Sequence, residues 1–276
     1  MGDVLTITLN NNVLIPQLGF GVFQVPLEDT ERVVSTALET GYRSIDTAAA
    51  YQNEEGVGRA LASCGLPRDE IFVTTKLWNS DHGYDQALRA FDASTQRLGL
   101  DSVDLYLIHW PVPVADRYVE TWKALEKLAA DGRVRAIGVS NFTVENLRRL
   151  VAETGTVPAV NQIELHPHFQ QTDLRAEHAA YGIATEAWSP LGQGAALSDA
   201  TITQLAKQHG VTPAQVVLRW HLQLGNIVIP KSVTPQRIRE NFDVFSFELS
   251  AEDLSAIADL ESDRRIGPDP ATFDMR

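Results

Sequence analysis

An acid, a phenol, an amine and an imidazole stand where three successive β-strands are predicted to end. Asp46 follows the apolar Ile45, and Tyr51 comes five residues after Asp46. Lys76 lies in Thr-Thr-Lys-Leu-Trp, and His109 lies in Leu-Ile-His-Trp-Pro. Because the carboxyl ends of parallel strands meet at one edge of a sheet, we expect these side chains to lie together. Such a combination predicts a proton-transfer site.

Each of these side chains suits a particular part of proton delivery to a carbonyl oxygen. A phenol with a pKa of about 10 is a weak acid, and a cation beside it lowers that pKa and stabilises negative charge on a nearby oxygen. We expect Lys76 to supply this cation for Tyr51, and Asp46 to hold Lys76 by charge pairing. His109 would be a neutral donor that orients the carbonyl.

The elements that would position these residues alternate between strand and helix. The strands are predicted at residues 18–23, 44–47, 71–76, 103–109, 134–139, 159–163, 183–187 and 226–229. The helices are predicted at residues 30–39, 53–63, 84–98, 118–130, 144–152 and 173–181, with a helical pair before the last strand. Eight βα units without a dividing linker predict an α/β protein with a single (β/α)8 barrel domain over residues 1–276. An open doubly wound sheet is the structural alternative.

Two apolar stretches, 5–9 and 13–15, flank three asparagines near the start of the chain. This pattern predicts a β-hairpin, which we expect to plug the bottom of the barrel because it precedes the first βα unit.

Composition excludes several classes of protein. The 276 residues are 44% hydrophobic, and the net charge of -13 argues against nucleic acid and anionic membranes as partners. The single cysteine, Cys64, excludes an internal disulfide and fits a reducing compartment. Neither a leader nor an apolar run of about 20 residues is present, so a cytoplasmic protein is expected. The histidines lack metal-ligand spacing, so we predict no metal site.

Most of the remaining strand ends carry polar, charged or aromatic residues. The first has Gly21, but Gly-Phe-Gly lacks the third glycine of a dinucleotide fingerprint, so we reject a Rossmann site. Instead, Gly21 would let the backbone approach a ligand, while Val22 and Phe23 line its pocket. The pair Ser140-Asn141 follows the fifth strand, where one of the two could simply cap the next helix.

A basic, hydroxyl-rich stretch follows the last strand. Lys231 and Arg237 surround a helix start predicted at Thr234-Pro235, where backbone amides point outwards. A lysine, an arginine fork and helix-end donors predict a binding site for a phosphate monoester.

The motifs around Asp46, Tyr51, Lys76 and His109 resemble the catalytic tetrad of the aldo-keto reductases, and the resemblance covers nearly the whole chain. It is closest to the bacterial 2,5-diketo-D-gluconate reductase-like group. The resemblance implies NADPH-dependent carbonyl reduction by a monomeric enzyme, with Tyr51 as proton donor.

The resemblance also implies a full set of cofactor contacts. Ser140, Asn141 and Gln162 would hold the nicotinamide carboxamide, and Trp188 would replace the usual tyrosine that stacks on the ring. The loop from Ser189 to Gly194 would wrap the pyrophosphate, and the stretch from Lys231 to Asn241 would bind the adenosine 2′-phosphate and adenine, favouring NADPH over NADH. The implied cofactor-binding residues are Gly21, Val22, Ser140, Asn141, Gln162, Trp188, Ser189, Leu191, Gly192, Ile229, Lys231, Ser232, Val233, Thr234, Arg237, Glu240 and Asn241.

The substrate is less constrained by the sequence. Phe23, Trp78, His109 and Trp110 would contact it. Residues 261–276 form a shorter tail than in animal members of the family, which implies a more open pocket for small dicarbonyls, keto-aldehydes or diketo sugar acids. Two alternatives stay open: a non-catalytic NADPH-binding barrel that acts as a sensor or partner subunit, and a barrel isomerase or aldolase with a Schiff base on Lys76.

Overall fold

Strands and helices alternate along the chain in the computed structural model, which describes residues 5–275. The strands in this part of the chain are β1 (Thr6–Thr8), β2 (Leu14–Pro16), β3 (Phe20–Gly21), β4 (Ser44–Asp46), β5 (Phe72–Leu77), β6 (Val103–Ile108), β7 (Val134–Ser140), β8 (Val160–Glu164), β9 (Ala184–Trp188) and β10 (Ile227–Val228). The helices there are α1 (Leu27–Thr40), α2 (Glu54–Ser63), α3 (Tyr84–Leu98), α4 (Tyr118–Ala130), α5 (Val144–Thr154), α6 (Thr172–Tyr181), α7 (Ala200–His209), α8 (Pro213–Gln223), α9 (Pro235–Phe242) and α10 (Ala251–Ala258). The predicted domain of residues 1–276 stays a prediction, and residues 1–4 and 276 lie outside the described residues.

The strands β3 to β10 form one parallel sheet in chain order. A parallel bridge joins Leu18 to Val228, and the amide of Gly19 donates to the Val228 carbonyl at 2.8 Å. The amide of Val228 in turn donates to the Gln17 carbonyl at 2.9 Å. Because these bonds connect the two ends of the sheet, it closes into a barrel. The predicted (β/α)8 barrel is confirmed, and the closing bonds exclude the open sheet.

The first barrel strand is shorter than predicted. β3 covers two of the six residues from 18 to 23, because the chain turns away from the sheet soon after it. The amide of Val22 still donates to the Asp46 carbonyl at 3.1 Å, but the amide of Val25 then donates back to Val22 at 3.1 Å. This turn carries Phe23 out of the sheet and leaves its ring 48% exposed.

The lower half of the barrel interior is apolar. Leu9 and Ile15 of the β1–β2 hairpin pack with Phe72, Leu105 and Ile227 from the barrel strands in one buried cluster. These strand residues lie towards the amino-terminal ends of their strands. The predicted hairpin plug at the bottom of the barrel is therefore confirmed.

The upper half of the interior is polar. Side chains two residues apart on a strand share a face, so Lys76 faces the same side as Phe72, and His109 the same side as Leu105. On these two strands an apolar side chain at the bottom is thus matched by a polar one at the top. The polar strand ends therefore lie above the buried apolar cluster, which we call the floor of the barrel.

Helices cover the outer face of the barrel. A second cluster between sheet and helices includes Val33, Phe91, Trp122, Leu147 and Val217, from five different helices. Cover on both faces accounts for the continuous apolar runs of the strands. None of the helices in residues 5–275 combines the length and the apolar character that a membrane span requires.

The cap of α5 is Thr143, not Ser140 or Asn141. Thr143 Oγ1 accepts from the Asn146 amide at 3.3 Å, and Asn146 Oδ1 accepts from the Thr143 amide at 3.1 Å, which is a capping box. Since Thr143 satisfies the helix end, Ser140 and Asn141 are available for contacts at the barrel mouth.

Candidate active site

Lys76 is the centre of a buried group that includes Asp46 and Tyr51. Its Nζ donates to Asp46 Oδ1 at 2.6 Å, to the Thr47 carbonyl at 3.0 Å and to Tyr51 Oη at 3.3 Å. The strands β4 and β5 are neighbours, with Asp46 opposite Thr74, so Lys76 lies just above the carboxylate. Tyr51 reaches the amine because a 3-10 turn, Ala49–Tyr51, closely follows β4. The structure therefore brings these three side chains together.

Burial and neighbouring charges set the protonation of this group. Burial alone would lower the pKa of Lys76, but Asp46 and Tyr51 carry the net pKa above its ordinary value. Burial raises the pKa of Tyr51, and the opposing influence of Lys76 is smaller. Lys76 therefore lowers the Tyr51 pKa as expected, but burial outweighs it and leaves the net pKa above its ordinary value. The phenol keeps its proton at neutral pH and can donate it.

A Schiff-base role for Lys76 does not fit this geometry. A nucleophilic lysine needs an unprotonated amine that a carbonyl carbon can reach. The Lys76 side chain is 0% exposed, its amine donates three hydrogen bonds, and its raised pKa keeps it charged. These contacts disfavour the isomerase or aldolase alternative.

His109 lies beside the phenol in a neutral form. Its ring centroid lies 5.6 Å from the Tyr51 ring and 5.3 Å from the Trp78 ring. Burial, with a smaller contribution from the Lys76 charge, holds the pKa of His109 well below its ordinary value. A neutral imidazole carries one N–H, which can donate to an oxygen near Tyr51.

A buried amide and a second carboxylate stand next to Asp46. Gln162 Nε2 donates to Asp46 Oδ2 and to Glu186 Oε2, both at 2.9 Å. Burial and the Asp46 charge raise the pKa of Glu186 to about 7. The sequence predicted a role for Gln162 but none for Glu186. The two-residue spacing between Glu186 and Trp188, which faces the barrel mouth, was the signal available.

Asn141 connects three strand ends. Its Nδ2 donates to the His109 carbonyl at 3.0 Å, and its Oδ1 accepts from Trp188 Nε1 at 2.8 Å. Ser140 Oγ donates to the Gln162 carbonyl at 2.9 Å. Asn141 has a φ of 63°, a left-handed conformation that asparagine tolerates better than most residues. These bonds fix the indole of Trp188 at the barrel mouth.

A cavity of about 1540 Å³ opens above this polar layer. Typical small-molecule sites have about 300–1,000 Å³, so this cavity can hold a large cofactor and a substrate together. The predicted site residues that line it are Gly21, Phe23, Asp46, Tyr51, Trp78, His109, Trp110, Ser140, Asn141, Gln162, Trp188, Ser189, Leu191, Ile229, Lys231, Ser232, Arg237, Glu240 and Asn241.

Some predicted residues do not line the cavity: Val22, Lys76, Gly192, Val233 and Thr234. The side chain of Val22 is 0% exposed and lies in the core between sheet and helices, so its predicted role in lining a pocket is wrong. Gly21 does line the cavity, but a Cβ there would lie 2.9 Å from the Ile229 carbonyl. Its lack of a side chain therefore permits the barrel to close.

The carboxy-terminal tail forms a wall of the cavity that the sequence did not predict. Glu164 accepts hydrogen bonds from the amides of Ile266 at 2.6 Å and Gly267 at 2.8 Å. The Phe273 ring packs on Trp110 with centroids 4.4 Å apart. We call residues 261–275 the strap. The strap thus contributes Ile266, Gly267, Pro268, Phe273 and Met275 to the lining of the cavity, and the more open pocket expected from the sequence stays a prediction.

The far end of the cavity is cationic. Lys231 and Arg237 are exposed, and within residues 5–275 neither makes an ion pair. α9 begins at Pro235 with Thr234 as its N-cap, as predicted. Ser232 Oγ accepts from the Thr234 amide at 3.2 Å. Two unpaired cations beside a helix start can bind an anion.

The chain is similar to proteins of one family over nearly its whole length. The family model described as Aldo/keto reductase family matches residues 17–262. A protein of Mycolicibacterium smegmatis named aldo-keto reductase is 64% identical over 269 residues, which are 98% of each chain. Methylglyoxal reductase DkgA of Escherichia coli K12 is 51% identical over 275 residues, 99% of each chain. A Gox0644 mutant, whose crystal structure was solved in complex with NADPH, is 52% identical in sequence. The two structures match with a TM-score of 0.94 over 98% of each chain.

Proposed function

The chain belongs to the aldo/keto reductase family, and from this premise we propose that it reduces small dicarbonyl compounds to alcohols with NADPH. Membership in the family makes it an NADP-dependent oxidoreductase of carbonyl compounds. The substrate class and the roles of individual residues are our proposals.

One observation carries the proposal. Tyr51 Oη lies 3.3 Å from the buried Lys76 ammonium, which is itself held at 2.6 Å by Asp46. This phenol lines the cavity beside the neutral imidazole of His109. A protonated phenol with a fixed cation behind it is suited to give up its proton to an oxygen that gains charge.

The residues of the site would divide the reaction as follows. NADPH, when bound, supplies a hydride to the carbonyl carbon of the substrate. Tyr51 donates the proton of its Oη to the carbonyl oxygen, and Lys76 stabilises the phenolate that remains. His109 donates its N–H to the same oxygen and orients it, while Asp46 keeps Lys76 in place.

The cavity fits the cofactor at both ends. Gln162, Asn141 and Ser140 line the cavity with amide and hydroxyl oxygens that can accept hydrogen bonds, and Trp188 lines it with an aromatic ring. At the other end Lys231 and Arg237 suit a 2′-phosphate, which NADH lacks. These residues would hold NADPH with its nicotinamide next to the phenol.

Methylglyoxal is the substrate we propose to test first. The relative from Escherichia coli is named methylglyoxal reductase, and it is similar over 99% of this chain. Phe23, Trp78 and Trp110, with Phe273 of the strap, give aromatic walls around the Tyr51 and His109 end of the cavity. Such walls favour a small carbonyl compound over a long flexible one.

The test is NADPH consumption with methylglyoxal, for the wild type and for Tyr51→Phe. We expect Tyr51→Phe to lower kcat by about 10²–10⁴-fold, because proton donation is lost, and to leave NADPH affinity unchanged. Tyr181→Phe, a phenol on α6 outside the cavity, is the matched control and should retain full activity. A wild type that binds NADPH but reduces none of a panel of dicarbonyls would favour the non-catalytic sensor instead.

A further inference from the structure

Glu186 is a buried acid that has no part in the proposed reaction. It lies on β9, is 1% exposed, and does not line the cavity. Its neighbour two residues along, Trp188, faces the same side of the strand at the barrel mouth. Glu186 therefore stands inside the barrel, one layer below the groups that would meet a ligand.

The hydrogen bonds of Gln162 reveal what Glu186 does there. An amide nitrogen carries two hydrogens, and those of Gln162 go to Asp46 Oδ2 and Glu186 Oε2, both at 2.9 Å. Asp46 is ion-paired with Lys76, so it acts as an acceptor. The amide nitrogen must point down into the barrel, towards the two carboxyl groups.

The carbonyl oxygen of Gln162 is the remaining atom of that amide. Within the described residues it accepts no hydrogen bond, and Gln162 lines the cavity. Were either carboxyl group absent, one amide hydrogen would lose its partner, and the opposite amide orientation would become less costly. That orientation would present a donor to the cavity instead of an acceptor.

We propose that Glu186 is a positioning residue that, together with Asp46, fixes the Gln162 amide so that its oxygen accepts from the carboxamide N–H₂ of the nicotinamide. This inference rests on the proposed use of NADPH. It adds a reason for cofactor selectivity at the ring end: the site distinguishes a carboxamide from a group of similar shape without N–H.

Protonation of Glu186 does not undo this arrangement. Asp46, Lys76 and Tyr51 are the charged or titratable groups that act on it, and burial with the Asp46 charge raises its pKa to about 7. In either state the carboxyl group keeps an oxygen that can accept from Gln162. The orientation of the amide is therefore maintained across neutral pH.

The test compares NADPH with its reduced 3-acetylpyridine analogue, in which a methyl ketone replaces the carboxamide. Dissociation constants are measured by quenching of tryptophan fluorescence, without any substrate. We expect the wild type to bind NADPH about tenfold more tightly than the analogue, as the loss of one hydrogen bond implies. Equal binding of both by the wild type would overturn the inference without any variant.

The variants separate positioning from a merely structural role. Glu186→Met removes the acceptor and should weaken NADPH binding about tenfold while abolishing discrimination against the analogue. Glu186→Gln keeps an acceptor oxygen, so it should retain the NADPH affinity of the wild type and its discrimination against the analogue. Thr185→Val is the matched control for disturbance of β9, because Thr185 lies on the outer face of the same strand. It should leave NADPH affinity and discrimination against the analogue unchanged.

The outcomes distinguish this inference from the proposed function. If the wild type binds no NADPH, the proposed function fails. If it binds NADPH with discrimination, and Glu186→Met keeps that discrimination, the positioning role of Glu186 is wrong while the reductase proposal stands. Should Glu186→Met not fold, Glu186→Leu replaces it, and Gln162→Met tests the premise that the Gln162 oxygen is the acceptor: discrimination that survives in either variant overturns the inference.

Discussion

Charge in the barrel centre is concentrated on three residues. Asp46, Lys76 and Glu186 are each at most 2% exposed, and one cation faces two acids. Desolvation makes such an excess of negative charge costly. The raised pKa of Glu186 reflects that cost. Between pH 4.5 and about 7 the folded protein keeps a proton on Glu186 that the unfolded chain would release.

Glu186→Gln should stabilise the protein in a pH-dependent way. The folded pKa of Glu186, about 7, lies above its ordinary value of 4.5, so the stability of the wild type falls as pH rises from 4.5 to 7. We expect the variant to gain up to about 3 kcal/mol in unfolding free energy at pH 8 and almost nothing at pH 4.5. Urea unfolding at both pH values measures this, with the less buried Glu126→Gln as control. A loss of stability at pH 8 would contradict the prediction.

Arg237→Met should weaken the binding of NADPH and leave the binding of NADH unchanged. The exposed guanidinium lines the cavity, and a charge-assisted bond to a phosphate is worth about 1.5–3 kcal/mol. We therefore expect KM for NADPH to rise about 10–100-fold while KM for NADH stays the same.

Arg239→Met is the matched control for this variant. Arg239 lies on the same helix, α9, but lines a different cavity, with Thr36 and Phe242. An equal effect of both substitutions on NADPH would show that Arg237 acts through general charge and not through contact.

At the scale of elements, the strap is held at several points along its length, and Glu164 is one of them. The Glu164 carboxylate accepts hydrogen bonds from His166 Nε2 at 3.1 Å and from the amides of Ile266 and Gly267. Burial alone would raise the pKa of Glu164, but these hydrogen bonds hold the net pKa below its ordinary value. The carboxylate therefore stays charged and anchors the strap at neutral pH.

Gly267→Ala should disturb the site more than the fold. A Cβ at this position would overlap the Trp188 ring and lie 2.9 Å from Glu164 Oε2. Either the strap or the indole must shift, so we expect kcat/KM with methylglyoxal to fall about tenfold. The melting temperature should change little, because the strap covers the mouth and not the core.

The control for the strap is Ala271→Ser, at an exposed position of the same segment. It should leave kcat/KM unchanged. Full activity of Gly267→Ala would mean that Trp188 and the strap can separate without consequence.

At the scale of the whole molecule, stability and chemistry lie at opposite ends of the barrel. The hairpin plug packs Leu9 and Ile15 into the apolar floor, while the polar layer faces the cavity above it. In a closed barrel, packing at the floor stabilises the fold, while the side chains at the mouth can differ without loss of that packing. The monomeric state and the cytoplasmic location stay predictions.

Ile15→Ala should lower stability and spare activity. Ile15 is 0% exposed in the floor, and the loss of such a side chain costs about 2–5 kcal/mol. We expect a matching loss in unfolding free energy, with KM for NADPH and for methylglyoxal unchanged well below the melting temperature. Leu14→Ala on the exposed face of the same strand is the control.

Local sequence patterns account for most of the fold and for part of the site. The alternation of apolar strands and amphipathic helices predicted the barrel, and a carboxylate after Ile45 predicted that Asp46 stands at a strand end. Each of these inferences uses residues close in sequence. The predicted length of the first barrel strand was wrong, and the alternative that Ser140 or Asn141 caps α5 does not hold, because a single turn or cap depends on one or two hydrogen bonds that periodicity does not encode.

The sequence by itself determined the barrel, its polar mouth and the cationic start of α9, since these follow from the patterns of single strands and helices and from their order along the chain. The tertiary structure decided how those side chains interact. Barrel closure brings Gln162 to Asp46, 116 residues away, and the strap to Glu164, 102 residues before Ile266. Burial then outweighs the Lys76 charge at Tyr51, so the net pKa is raised although Lys76 lowers it. Desolvation and the choice of hydrogen-bond partner depend on the whole enclosure, which no local pattern contains.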